Sequence, residues 1–197
     1  YSKKSFGAIS ILNRYKINGL QMKLLTTTLD SVKLIDPTIF KDDRGFFMET
    51  YHHSKFKDLG ITDTFVQDNH SYSQQGTLRG LHYQTAPYAQ AKLVRVTQGE
   101  IFDVACDIRS DSPTYGQWFG TLLNDTNHHM LYIPGDFAHG FYVLSKTAHL
   151  VYKCSSIYSP DHDRSIHWQD PTLAIDWPLI KDLPVSLSHK DKNAPLL

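Results

Sequence analysis

Neither sign of charge prevails in this chain: 20 Lys and Arg balance 20 Asp and Glu, for a formal net charge of zero. That removes the long-range field that draws a protein to DNA, RNA or an anionic membrane, so neither nucleic acid nor membrane is an expected partner. A local basic pocket is still compatible with it. Cysteine is scarce too, with Cys106 and Cys154 the only two in 197 residues. Two cannot build a disulfide framework, and each lies in an apolar, strand-like run where a free thiol behaves as a small hydrophobe. Unbridged thiols fit a reducing compartment, and the cytoplasm is the expected location. Long apolar runs are also missing. No stretch approaches the roughly 18 residues of a membrane-spanning helix, and the apolar run from Phe6 to Leu12 behind Lys3-Lys4 is short for a secretory signal.

What is present is ordinary globular composition. Hydrophobic residues make up 41% and charged residues 20%, with 11 Gly and 9 Pro, which excludes disorder, collagen-like repeats and a coiled coil. A chain of this length buries about 70% of its unfolded surface. Residues 1–21 show no clean period and are expected to be an extension of little functional consequence, with residues 22–197 forming a single domain. Met22 opens a strand-like run through Thr28. Short strand-like runs then follow at Leu93–Val96, Ile101–Arg109, Trp118–Leu123, His129–Ile133, Gly140–Leu144 and His149–Cys154. Turn residues such as Gly99-Glu100, Asn124-Asp125 and Pro134-Gly135 separate them. In Ile101–Arg109 alternation puts Phe102, Val104, Cys106 and Ile108 on a core face and Asp103, Ala105 and Asp107 on a polar one. The helix signal is brief: Ser54 could cap a turn carrying Phe56 and Leu59 before Gly60 ends it. The pattern predicts an all-β sandwich or barrel of the jelly-roll kind with short peripheral helices.

Eleven histidines raise a metal reading, but the spacing is poor for it. The adjacent pairs His52-His53 and His128-His129 point to opposite faces of any strand, and His82 is followed at i+2 by Gln84 where a His-x-His ligand pair needs a second His. The segment Leu78-Arg79-Gly80-Leu81-His82-Tyr83-Gln84 is more suggestive. Arg79 and His82 stand three apart with Gly80 between, where a bulge or a close backbone approach turns both side chains inward. Lys92 heads another strand ten residues on. Inward Arg, His and Lys require an anionic partner from the protein or a ligand; the bland alternative is that Arg79, Lys92 and Arg95 decorate an outward face.

Ten blocks in collinear order resemble the dTDP-4-dehydrorhamnose 3,5-epimerase family. They are Asp43-Arg44-Gly45-Phe46-Phe47, Phe65-Val66-Gln67-Asp68-Asn69-His70-Ser71, the Leu78–Gln84 segment above, Ala91-Lys92-Leu93-Val94-Arg95-Val96, Ser112-Pro113-Thr114-Tyr115-Gly116, Ile133-Pro134, Phe137-Ala138-His139-Gly140-Phe141, Tyr152-Lys153, Ile175-Asp176-Trp177-Pro178 and Ser188-His189-Lys190-Asp191. The resemblance runs from about Met22 to the C-terminus. It implies a cupin-type jelly roll, a homodimer, and an isomerase that needs no metal or other cofactor. Asp163, where many members carry Glu, and His189, at a variable position of its block, are departures that touch only fine positioning.

In the implied reaction the C3 and C5 protons of a dTDP-4-keto-6-deoxyhexose are both α to the C4 carbonyl, so removing either gives an enolate with its charge on O4. The resemblance makes His82 the base, Asp191 the carboxylate that orients it, Lys92 the cation beside O4 and Tyr152 the proton donor on the opposite face. A neutral imidazole suits the first task and a compact ammonium the third. Without the family match, Tyr152 reads equally as a core aromatic with a satisfied hydroxyl and Asp191 as a solvated carboxylate. The resemblance further assigns His139 to substrate contact, Arg79 to phosphate or sugar, and Arg44, Glu49, Gln67, Asp68, Asn69, Asp163 and Lys190 to the substrate site. Tyr158 is a candidate for stacking on the base. Three other readings compete: a mono-epimerase acting at C3 or C5 alone, a non-catalytic sugar-binding cupin, and a metal-dependent cupin dioxygenase.

Overall fold

The computed structural model describes residues 22–197; the expected N-terminal extension lies outside the described residues. The strands, in chain order, are β1 (Lys23–Leu25), β2 (Lys33–Asp36), β3 (Ile39–Asp42), β4 (Gly45–Met48), β5 (Gln67–Gln74), β6 (Leu78–Gln84), β7 (Lys92–Gln98), β8 (Glu100–Asp107), β9 (Trp118–Asn124), β10 (Met130–Ile133), β11 (Phe137–Val143), β12 (Thr147–Cys154) and β13 (Asp163–Ser165). Helix α1 (His53–Asp58) follows β4, and α2 (His189–Lys192) lies near the C-terminus. A six-stranded sheet in the order β1-β2-β10-β7-β12-β5 faces a five-stranded sheet in the order β13-β6-β11-β8-β9. The crossovers between the sheets give the expected cupin-like jelly roll. Strands β3 and β4 form a separate hairpin.

The main core lies between the two sheets. Val94, Val96, Leu131 and Leu150 of the first meet Ile101, Ala105, Phe137, Phe141 and Val143 of the second. A second cluster covers the outer face of the five-stranded sheet, where Phe102, Val104, Cys106, Ala138 and Tyr142 pack against Ile166, Trp168, Leu173 and Trp177 of the C-terminal segment. This corrects the expectation of a polar face on β8. Both faces are covered, and Asp103 and Asp107 are wholly buried. The sheet is sandwiched between its partner sheet and a loop-rich tail, so alternation does not separate core from solvent there.

Two other expectations shift at their edges. The run opened by Met22 stops at Leu25, and the Thr27 hydroxyl donates to the carbonyls of Leu29 (2.9 Å) and Val32 (3.0 Å), fixing a turn. In α1 the cap is His52, whose Nδ1 accepts from the Lys55 N–H, rather than Ser54.

Strand β6 contains the irregularity that shapes the interior. Its register with β11 steps from His139 opposite His82 to Phe141 opposite Arg79, so β6 carries one extra residue there. The bulge reduces the three-residue spacing of Arg79 and His82 to an effective two, which puts both on the face shared with His139 and Phe141. Gly80 makes it feasible. Its φ is +128°, and a Cβ there would lie 2.5 Å from Gly140 Cα, so neither strand tolerates a side chain at the crossing.

Candidate active site

The C-terminal segment reaches the bulge by running alongside β6. Leu78 N–H donates to Ser186 O at 2.9 Å, and Ser186 N–H to Gly76 O at 2.9 Å. The chain then turns into α2, where Ser188 Oγ accepts from Asp191 N–H at 3.0 Å. The cap aims the Asp191 carboxylate at β6, and Oδ1 lies 2.5 Å from His82 Nε2. A backbone N–H of Gly80 adds a second donor. Asp191 is 3% exposed at its side chain and His82 33% exposed, so the pair has a buried anchor and an accessible ring. Burial pushes the Asp191 carboxyl up, but the His82 contact, the Ser188 hydroxyl and the Gly80 N–H pull it down further, leaving it below the ordinary carboxylate value.

His82 lines a cavity of about 460 Å³ with Gln67, Asn69, Lys92, Tyr152, Tyr158, Asp163 and Lys190. Lys92 is buried, its Nζ 3.5 Å from the His82 carbonyl, and burial pushes its pKa down. Tyr152 lies on the inner face of β12. Burial pushes its phenol up, while Arg79 and Asn69 pull it partly back. The cavity therefore joins a carboxylate-bound imidazole, an ammonium and a phenol, which together can abstract a proton, stabilise the resulting oxyanion and return a proton. Among the described residues no group of three or more His, Cys, Asp and Glu side chains is placed to hold a metal ion.

The remaining expected residues divide. Lys190 pairs with Asp163, which also accepts from the Tyr158 hydroxyl at 3.1 Å, at the cavity rim. Arg79 donates to Ser73 Oγ (3.0 Å) and Tyr72 O (3.1 Å) at the open edge between β6 and β5. His139 is buried one strand over from His82, its Nε2 2.8 Å from Asp103 Oδ1. Asp68 points outward from β5 to Lys153 (2.9 Å) and lines an adjoining cavity of about 390 Å³. Arg44, at the tip of the β3–β4 hairpin, pairs with Asp42 at 2.6 Å, and Glu49 pairs with Lys55 at 2.9 Å; neither lines the His82 cavity. Sequence reasoning missed Asp103, whose second oxygen has no partner among the described residues. Its signal was an acidic residue inside an otherwise apolar alternating strand.

Fold and site together define a jelly-roll protein with a His–carboxylate pair, a buried lysine and a tyrosine around one interior cavity, an arrangement suited to proton transfer. The comparisons narrow that class. A family model described as dTDP-4-dehydrorhamnose 3,5-epimerase matches residues 26–197. A Pseudomonas aeruginosa protein of that description is 51% identical over 173 residues, covering 87% of this chain and 94% of the relative. One from Salmonella typhimurium is 49% identical over 177 residues, covering 89% and 96%. Among solved structures, a dTDP-6-deoxy-D-glucose-3,5-epimerase from Legionella pneumophila in complex with dTDP-4-keto-L-rhamnose is 53% identical, with a TM-score of 0.85 over 89% of this chain and 92% of the other. A 3'-monoepimerase from Streptomyces bikiniensis is 33% identical, with a TM-score of 0.78 over 84% and 83%. The chain belongs to the dTDP-4-dehydrorhamnose 3,5-epimerase family.

The depressed Asp191 carboxyl contributes stability that is intact above the ordinary value of 3.8 and fades as pH falls through its lower folded-state value. Carboxyl carbon NMR should place its midpoint below 3.8. In His82→Asn the burial remains and the partner is gone, so the midpoint should rise; an unmoved midpoint would show that the pair is not coupled.

Proposed function

We propose that the chain inverts C3 and C5 of dTDP-4-keto-6-deoxy-D-glucose, giving dTDP-4-keto-L-rhamnose, with His82 as base and Tyr152 as opposite-face acid. The observation that carries this reading is the convergence of His82–Asp191, Lys92 and Tyr152 on one cavity, within a chain of that family. With Nε2 donating to Asp191, the other ring nitrogen of His82 keeps its lone pair, and the carboxylate favours the imidazolium formed when that nitrogen takes the proton from C3 or C5. The electron pair left behind moves onto O4. Lys92, drawn from water and without a carboxylate at ion-pair distance among the described residues, meets that charge as it develops. Tyr152 then gives its proton to the carbon from the other face; water takes the proton from His82 and returns one to Tyr152, and with both groups reset the process repeats at the second centre.

The rim serves the nucleotide. Lys190 and Arg79 supply cations for the diphosphate, His139, Gln67, Asn69 and Asp163 polar contacts, and Tyr158 a flat surface for the base. Arg44 and Glu49 fit this scheme through a second subunit. The β3–β4 hairpin belongs to neither barrel sheet and exposes Phe40, Phe46 and Phe47, at 44%, 56% and 67%. A homodimer that buries those rings removes an apolar surface from water and can carry Arg44 towards the partner's cavity. The free, buried Cys106 and Cys154 suit a reducing cytoplasm.

A single-centre epimerase is the rival reading, favoured by the likeness to the 3'-monoepimerase. NMR of the product made from dTDP-4-keto-6-deoxyglucose separates the two: inversion at both carbons is expected, and at one only would support the rival. Lys92→Ala should lower kcat by about 100-fold or more with a smaller change in KM; a raised KM at unchanged kcat would make Lys92 a binding residue only. Light scattering should give the mass of two chains, and Phe47→Glu should shift it towards one. A wild-type monomer at micromolar concentration would contradict the dimer.

A further inference from the structure

Residues 155–159 leave β12 and carry Tyr158 to the cavity rim without forming helix or strand. Backbone groups of such a strap still need partners, and three glutamines supply most of them. Gln90 Nε2 donates to Ser156 O at 2.6 Å. Gln84 Nε2 donates to Ile157 O at 3.2 Å and to Tyr88 O at 2.7 Å, while its Oε1 accepts from Ser159 N–H at 2.8 Å. Gln67 Oε1 accepts from Tyr158 N–H at 2.9 Å, and its Nε2 is held by Asn69 Oδ1 at 3.1 Å. These glutamines come from β5, from β6 and from the approach to β7, so the strap is stitched to both sheets.

Gln84 is the centre of the arrangement. It is 5% exposed and fills the i+2 position after His82, where a metal-binding jelly roll would place a second histidine. Its amide carries two donors and an acceptor on one planar group, and all are spent on the strap and the adjacent turn. Tyr158 is fixed at its main-chain nitrogen by Gln67 and at its hydroxyl by Asp163, yet 55% of the residue is exposed. Nothing among the described residues stacks on its ring. A flat aromatic surface tied at both ends and left uncovered is preorganised for a planar ligand, because little freedom remains to be lost on binding.

We propose that Gln84 and Gln90, together with the contact residue Gln67, clamp the strap so that Tyr158 is held as a stacking platform for the base, which makes Gln84 and Gln90 positioning residues for nucleotide affinity rather than for the proton-transfer step. The proposal rests on the assignment of Tyr158 to the base, and the test separates the two. Binding of dTDP and steady-state constants are measured for the wild type, Gln84→Met, Gln90→Met, Tyr158→Ala and the double variant Gln84→Met/Tyr158→Ala. Each single variant should weaken dTDP binding and raise KM by about three- to tenfold, with a smaller change in kcat. The double variant should bind no more weakly than Tyr158→Ala, since the glutamine acts through the tyrosine. Gln84→Glu sets a carboxylate against two carbonyls, so its KM should fall towards the wild-type value on acidification, which a packing role would not produce. If Tyr158→Ala weakens binding and the glutamine variants do not, the clamp is wrong and the platform stands; if Tyr158→Ala has no effect, both fail. Additive losses in the double variant would also overturn the clamp, and Gln90→Met, at a half-buried site, decides the matter should Gln84→Met not fold.

Discussion

Lys92 holds its ammonium group buried between the two sheets, with a main-chain carbonyl at 3.5 Å as its hydrogen-bond partner and no carboxylate at ion-pair distance among the described residues. Such burial is costly, because the water lost outweighs the attraction of Cys154, Asp103 and Asp163. The surrounding architecture follows from that cost. The carbonyl that meets the ammonium belongs to His82, the residue whose ring occupies the cavity, and the carboxylate of Asp191 is engaged by that ring instead of by the lysine. In the reaction proposed above a developing enolate brings a negative charge to Lys92, and the same desolvation that disfavours the resting ammonium strengthens its attraction to an oxyanion.

Keeping these groups together depends on chain segments far apart in sequence. His82 and Asp191 are 109 residues apart, and they meet because the tail pairs beside β6 and a capped turn of helix ends its approach. The bulge at Gly80 acts at closer range. It converts a spacing that alternation would split between two faces into one that shares a face, and the crossing with Gly140 leaves no room for a Cβ. Backbone geometry, set by two glycines, thus decides which side chains enter the barrel.

The legible parts of the sequence were those in which one physical rule acted alone. Strands β7 to β12 were readable because apolar residues recur at short, regular intervals, and the bulge was readable because a glycine interrupts a strand between Arg79 and His82. Strand β5 was not, since Gln67 to Gln74 is polar on both faces at a sheet edge and offers no hydrophobic period. On β8, alternation grouped the faces correctly but assigned Asp103 and Asp107 to solvent, whereas their face, shared with Ile101 and Ala105, looks towards the partner sheet and the tail covers the Phe102 face. The site residues matched to the family separate for a similar reason: those on β6, β7 and β12 converge within one chain, whereas Arg44 and Glu49 lie beside an exposed hairpin whose counterpart is another molecule in the dimer proposed above. The strap contacts of Gln84 and Gln90 were not legible, because their partners are main-chain atoms.

In the reaction proposed above, proton removal and proton return belong to different residues on opposite faces of the sugar. The most direct test follows deuterium from heavy water into C3 and C5 alongside inversion at each centre. His82→Asn should abolish both exchange and inversion, while Tyr152→Phe, with the base intact, should still exchange protons and so raise the ratio of exchange to inversion. Appreciable exchange in His82→Asn would contradict the base assignment, and equal loss of exchange and inversion in Tyr152→Phe would contradict the division of labour itself.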